Sequence, residues 1–378
     1  MHFETKFQIV PTPSTHFLLD PPTYPADRYA PLADRIKRLL VTASDVVFVQ
    51  AEAILALEAA ASSIARPGIV AINIVTSPYG VYFGAWLRRG GATVHDVISQ
   101  PGQPVAMELV RGQADALDQI DIVAVVHGEA ANGALNPLTD IASLARSRGA
   151  LCVVDAVASI GGHALGMDSL GIDIVVIGAQ KALGGPPGLS AVAISKRAWD
   201  HIAGIPALAP SCLSLANIKA TWLDRGRGAL RGTPAALEFW ALEAAIDRVE
   251  AEGIENLITR HGLAATASRA GLRAMGIEPW IADDRAASAL VTSAPVPPGM
   301  NVDDLIAHAA RLGVALGRGV GDIENQLVRL NHTGVNATFN SVLAAVLAYG
   351  SAIRSLGAQA DLGAAAKAVT SVYSAITC

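Results

Sequence analysis

The chain has 378 residues, 52% apolar and 16% charged, with a net charge of −5. That balance implies a large buried core, two domains by length, and excludes a disordered polymer. No Lys/Arg cluster stands out to meet nucleic acid or an anionic bilayer, and no apolar run is long enough to span a membrane.

The opening "MHFETKFQIVPTPS" lacks the apolar run of a secretory leader. Residues 1–25 read as an N-terminal arm, "DRIKRLL" as a helix and "DVVFV" as a strand. Next, "VQAEAILALEAAASS" (49–63) reads as a strand end running into a helix, with Glu52 in the first turn and Arg66-Pro67-Gly68 as the stop. "IVAINIV" is a strand and "GVYFGAWLRRGG" a helix. "IDIVAVVH" and "ALCVVDAV" are continuous apolar runs, the pattern of strands buried on both faces, with the amphipathic "NPLTDIASLARSRG" between them. "IDIVVIGAQK" is a further strand, and "LSAVAISKRAWDHI" a strand followed by a helix.

After residue 200 the alternation gives way to two long helical stretches, "PAALEFWALEAAIDRVEAEG" and "IENLITRHGLAATASRAGLRAMG". Strands near "SALVTS" and "NQLVRLN" and a closing helix at "TFNSVLAAVLAYGSAIRSLG" follow. The fold class expected is α/β: a mostly parallel sheet between helices, plus a smaller C-terminal α+β domain. The expected boundaries are 1–253 for the large domain, including the 1–25 arm, and 254–378 for the linking helix and small domain.

Ligands in such sheets sit beyond the carboxyl ends of the strands. "CVVDAVASIGG" carries Asp155 and "DIVVIGAQKALGGPPGLS" carries Gln180-Lys181 at two such exits. A lone Asp there is usually a cap, and a lone Lys is usually solvated. Together on neighbouring strands they suggest a desolvated, nucleophilic amine beside a carboxylate that keeps a pyridine nitrogen protonated.

The segment "VDAVASIGG…MDSLGIDIVVIGAQKALGGPPGLS" closely resembles the class V, fold-type I aminotransferases that use pyridoxal chemistry, among them the alanine–glyoxylate aminotransferases. The resemblance spans roughly residues 45–345. It implies that Lys181 forms the internal aldimine, that Asp155 pairs with the ring nitrogen, and that Gln180 lies beside the ring. Tyr79 of "TSPYGVYFG" would stack on the ring face, and Arg329 of "QLVRLNHTG" would clamp a substrate carboxylate. His127 and Glu129 of "VVHGEAANGALNPL" match a family loop, as does Thr233 of "GALRGTPAALEF". Taken alone, Tyr79 is better read as packing and Arg329 as surface; their joint order favours the site.

Glu52 departs from the phosphate-binding members, whose corresponding segment, of the "GSGTAAMEA" type, exposes backbone N–H groups. Here "AEAI" lacks both glycines and hydroxyl and carries a carboxylate. A carboxylate about 4 Å from one phosphate charge costs roughly 4 kcal/mol at an effective dielectric near 20. As a plain helix-dipole partner, Glu52 would contribute only about 0.3–1 kcal/mol.

"VQAEAILALEAAASSIA" is similar to the same stretch in the pyridoxamine–pyruvate branch of the family, which takes the unphosphorylated vitamer as a substrate. That likeness implies conversion of pyridoxamine and pyruvate to pyridoxal and L-alanine, with Arg318 of "GRG" joining Arg329 on the carboxylate. It implies no tightly held phosphate cofactor, no metal, small-molecule partners only, and a homodimer or homotetramer. The alternative is an aminotransferase of the alanine– or serine–glyoxylate type that retains pyridoxal 5′-phosphate. A catalytically silent vitamer-binding protein is a third reading.

Several positions depart from these patterns. Ala130 stands where relatives keep Ser or Thr near the ring hydroxyl, and Leu230 replaces a tyrosine that reaches a neighbouring subunit's phosphate. Arg231 is expected to pair with Glu52 or face solvent. Cys152, Cys212 and Cys378 are odd in number and far apart, which fits a reducing cytoplasm, and none lies in a recognisable nucleophile loop.

Overall fold

The computed structural model describes residues 21–204 and 211–375. Most of the expected N-terminal arm, as well as Cys378, lies outside the described residues. Seven strands form the main sheet: β1 (Asp45–Val49), β2 (Val70–Val75), β3 (Thr93–Ile98), β4 (Ile122–Val126), β5 (Leu151–Asp155), β6 (Ile174–Gly178) and β7 (Ser190–Ile194). Their order is β1-β7-β6-β5-β4-β2-β3. β3, β2, β4, β5 and β6 are parallel, whereas β7 runs antiparallel to both β6 and β1. β4, β5, β6 and β7 are buried at every position, as their unbroken apolar sequences require.

The helices linked to this sheet are α1 (Tyr29–Leu39), α2 (Ala53–Ile64), α3 (Pro78–Arg89), α4 (Met107–Asp115), α5 (Leu138–Ser147), the short α6 (Met167–Leu170), α7 (Lys196–Ala203) and α8 (Leu215–Thr221). Two long helices follow, α9 (Ala236–Glu252) and α10 (Ile254–Ala274). Beyond them a second sheet, ordered β8-β10-β9, is built from β8 (Val291–Pro295), β9 (Gly317–Arg318) and β10 (Leu327–Asn331), all antiparallel. It packs with α11 (Val302–Arg311), α12 (Phe339–Ser355) and α13 (Leu362–Ser374).

One apolar cluster runs from Tyr24 to Leu257 and a second from Ala264 to Val369. We propose the domain boundary at 253/254, where Gly253 with φ +84 breaks α9 from α10.

The start of β6 is tied to its neighbours by a buried carboxylate. Asp173 accepts from the backbone N–H of Cys152 at 2.9 Å, from Ser195 Oγ at 2.9 Å and from Arg197 Nε at 3.0 Å. One side chain thus fixes the bases of β5 and β6 and the end of β7, and so sets the register that brings Asp155 and Lys181 to adjacent exits. Asp173→Ala leaves the buried Cys152 N–H without its acceptor and takes the carboxylate from Arg197, which keeps its bonds to Gly149 O and Ala150 O, and should cost about 2 kcal/mol. Denaturant unfolding measures this; a loss below about 1 kcal/mol would contradict the assignment.

Candidate active site

α2 presents an almost uninterrupted alanine face, with Ala53, Ala56, Ala59, Ala60 and Ala61 all buried. Small residues let this helix lie close on the sheet: a Cβ added at Gly178, the last residue of β6, would sit 3.1 Å from Ala53 Cβ. The N-terminus of α2 is thereby held against the β6 exit.

Glu52 lies one position earlier than the sequence reading put it. It is the N-cap of α2, not a residue of its first turn. Its Oε2 accepts from the Ile54 N–H at 2.9 Å, and its Oε1 accepts from Gln180 Nε2 at 2.7 Å. The carboxylate therefore covers one of the backbone donors that a helix N-terminus otherwise offers to an anion.

A cavity of about 220 Å³ opens beside this cap, lined among others by Glu52, Tyr79, Ala130, Asp155 and Lys181. Lys181 follows the end of β6 in a loop braced by Gly184 N–H to Lys181 O (3.0 Å) and Gly185 N–H to Ala179 O (2.8 Å). Gly334 backs that loop so closely that a Cβ there would stand 3.1 Å from Lys181 O. Burial lowers the pKa of the Lys181 amine, and the nearby Arg329 charge lowers it further. Burial pushes Asp155 up to about 6, and Glu52 adds to the rise; the Val157 N–H bond to its Oδ1 (2.9 Å) and the Lys181 charge oppose it.

Tyr79 sits in the first turn of α3, where Ser77 is the N-cap and accepts from Tyr79 N–H at 3.2 Å. Gly80 is required here, because a Cβ would meet Ile74 O at 2.9 Å and push the turn off β2. Burial raises the pKa of the Tyr79 hydroxyl.

Arg329, on β10, is half-buried, and burial lowers its pKa. It donates from Nε to Arg318 O (2.7 Å) and from Nη1 to Ala130 O (2.6 Å), and it has no carboxylate partner among the described residues. Arg318 behaves differently from the expected paired clamp. Its guanidinium bonds to Asp303 and to Asn325 Oδ1, so only its carbonyl reaches Arg329.

His127, Glu129 and Thr233 fall outside the cavity lining, as do Gln180, Arg318 and Arg329. His127 is buried with Nδ1 unpartnered, its ring 5.6 Å from that of His163, and burial drives its pKa down to about 3. Glu129 is fully buried under the cavity wall and bonded to Thr76. Thr233 and Arg231 are exposed in the single chain, while Leu230 packs on the main cluster. Sequence reasoning missed Thr76, Asn132 and Asn136, which brace the turn before Tyr79. "TSP" ahead of an apolar run was a legible cap signal, though only for Ser77.

Among the described residues no cluster of His, Cys, Asp or Glu suits a metal ion, and no helix is long and apolar enough to cross a membrane.

The aminotransferase class-V family model matches residues 27–333. The pyridoxamine–pyruvate transaminase of Mesorhizobium japonicum is 33% identical over 350 residues, covering 92% of this chain and 88% of that protein. The crystal structure of pyridoxamine–pyruvate aminotransferase from Mesorhizobium loti superposes with a TM-score of 0.88 at 32% identity, covering 92% of this chain and 89% of that one. The alanine–glyoxylate aminotransferase of Rattus norvegicus is 27% identical over 286 residues, covering 75% of this chain and 69% of that protein. A desolvated lysine and a buried aspartate at adjacent strand exits of a fold-type I sheet agree with these matches: the chain belongs to the class V aminotransferases and is an aminotransferase.

Proposed function

We propose that this enzyme transfers an amino group between pyridoxamine and pyruvate, giving pyridoxal and L-alanine, with the unphosphorylated vitamer as a reactant that enters and leaves. The observation that carries this reading is the Glu52 carboxylate, which caps α2 at one end of the cavity and occupies the Ile54 N–H. Likeness to the pyridoxamine–pyruvate transaminase of Mesorhizobium japonicum supports it.

The residues present suit a pyridoxal-type ring. Asp155 would face the ring nitrogen, Tyr79 the ring plane, and Glu52 would accept from the neutral 5′-hydroxymethyl group. The ring, once its nitrogen is protonated, acts as the electron sink for proton removal from carbon. Arg329 would hold the keto-acid carboxylate with the guanidinium edge not committed to Ala130 and Arg318. Lys181, as free amine, would move the proton between C4′ and the substrate Cα, so its depressed pKa serves the reaction. We take the working form to be a cytoplasmic homodimer or homotetramer, with the exposed 231–233 segment facing a neighbouring subunit.

At 4 Å, one pair of negative charges repels by about 4 kcal/mol at an effective dielectric of 20 and by about 1 kcal/mol in open water. Glu52 is exposed in the single chain, so the discrimination against a phosphate tail should lie between about fivefold and nearly a thousandfold. Steady-state assays with pyruvate should therefore give higher kcat/KM for pyridoxamine than for pyridoxamine 5′-phosphate. Turnover with the phosphate form alone would overturn the reading.

The pH profile follows from Asp155 and Lys181. Asp155 must be charged to pair with the ring nitrogen, and in the free enzyme it titrates near 6. Hence kcat/KM should fall as pH drops through about 6, while the lowered Lys181 pKa keeps more free amine available than an exposed lysine would. Asp155→Asn should remove that acid limb, and Lys181→Ala should cut the rate by about 10²–10⁴. A flat wild-type profile between pH 5 and 7, from rate measurements in about 0.5-unit steps, would contradict the assignment.

A further inference from the structure

The buried carboxyl of Glu129 has no part in the mechanism above, yet it is joined to a buried polar network around Thr76. Glu129 lies in the loop after β4, which closes on itself through Glu129 N–H to Ala134 O (2.8 Å) and Gly133 N–H to Glu129 O (2.9 Å). Its side chain leaves that loop for the β2–α3 junction, where Oε1 meets the Thr76 hydroxyl.

The direction of that bond is fixed by its neighbours. Asn136 Nδ2 donates to Thr76 Oγ1 at 2.9 Å and to Val126 O at 2.7 Å, so the single Thr76 hydroxyl proton goes to Glu129. Asn132 Nδ2 donates to Thr76 O at 3.0 Å, gripping the same residue from behind. Ser77, the N-cap that follows Thr76, accepts the Tyr79 N–H. Glu129 Oε2 is buried without a partner, a costly arrangement that an apolar residue of similar size would avoid.

We propose that Glu129 is a positioning residue: by accepting the Thr76 hydroxyl it fixes the residue before the Ser77 N-cap of α3 and so sets the plane of the Tyr79 ring at the cavity. This rests on the reading of Tyr79 as the face that meets the vitamer ring. The next residue supports it, because Ala130 O holds Arg329 Nη1, so one loop fixes both the ring-facing and the carboxylate-facing residues. A carboxyl that merely complemented the α3 dipole would act without reference to Tyr79.

A double-mutant cycle separates these roles. Dissociation constants for pyridoxal and for pyridoxal 5′-phosphate are measured by absorbance titration of wild type, Glu129→Ala, Glu129→Gln, Tyr79→Ala and the Glu129→Ala/Tyr79→Ala pair. For whichever form wild type binds, Glu129→Ala should weaken binding by about tenfold, and Glu129→Gln, which keeps the acceptor oxygen, by no more than about twofold. On the Tyr79→Ala background, Glu129→Ala should add less than about twofold.

Equal losses on both backgrounds would overturn the proposal, as would a Gln variant as impaired as the Ala variant. Should Glu129→Ala fail to fold, Thr76→Val against Thr76→Ser tests the same link, the valine losing and the serine keeping affinity. Binding of the phosphate form alone would sink the vitamer reading but leave this cycle readable.

Discussion

The Glu52 carboxylate closes the N-terminus of α2 on itself, and the proposed reading of the site depends on that closure. A helix entering from a strand exit offers unpaired N–H groups and a positive dipole end, which together favour an anion. In this chain the anion is supplied from within, at hydrogen-bond range, by the N-cap residue. A second bond from Gln180, 128 residues away in sequence, anchors the same carboxylate to the residue next to Lys181. On the proposed reading, the end of the cavity that would meet the vitamer's 5′ substituent is thus joined by hydrogen bonds to the residue next to Lys181.

The rest of the fold serves that juxtaposition. Alanines on α2 permit the close approach to β6, and Gly178 removes the last obstacle. Asp173 holds the bases of β5 and β6 so that their far ends deliver Asp155 and Lys181 side by side. Burial then acts on the two groups in opposite senses: it lifts the carboxyl and depresses the amine, leaving both nearer to neutrality than they are in water. β10 contributes Arg329 from the second sheet, oriented by the Ala130 carbonyl.

Much of this was legible in the residues. Strands buried on both faces write themselves as continuous apolar runs, so β1, β2, β4, β5, β6 and β7 were readable. β3 was not: unlike β1, the other edge strand, it is largely exposed, and its "TVHDVI" breaks the apolar run with His95 and Asp96. α4, α11, α13 and the two-residue β9 also escaped the reading. Asp155 and Lys181 stood out only as a pair: alone, an Asp at a strand end reads as a cap and a Lys as solvated, but together at neighbouring strand exits they point to chemistry. Contacts set only by tertiary structure were invisible: the diversion of Arg318 to Asp303 and Asn325, and the meeting of Thr76 with Glu129. Glu52 was found by its charge, but its role as the cap depended on one residue of helix boundary that pattern alone does not resolve.

The most direct test of the central claim is calorimetric titration of wild type and Glu52→Gln with pyridoxal 5′-phosphate and with pyridoxal. Removing the charge should tighten binding of the phosphate form by about fivefold or more while weakening that of pyridoxal, inverting or flattening the wild-type preference. Wild type that holds the phosphate form at least as tightly as pyridoxal, with no change on substitution, would contradict the account.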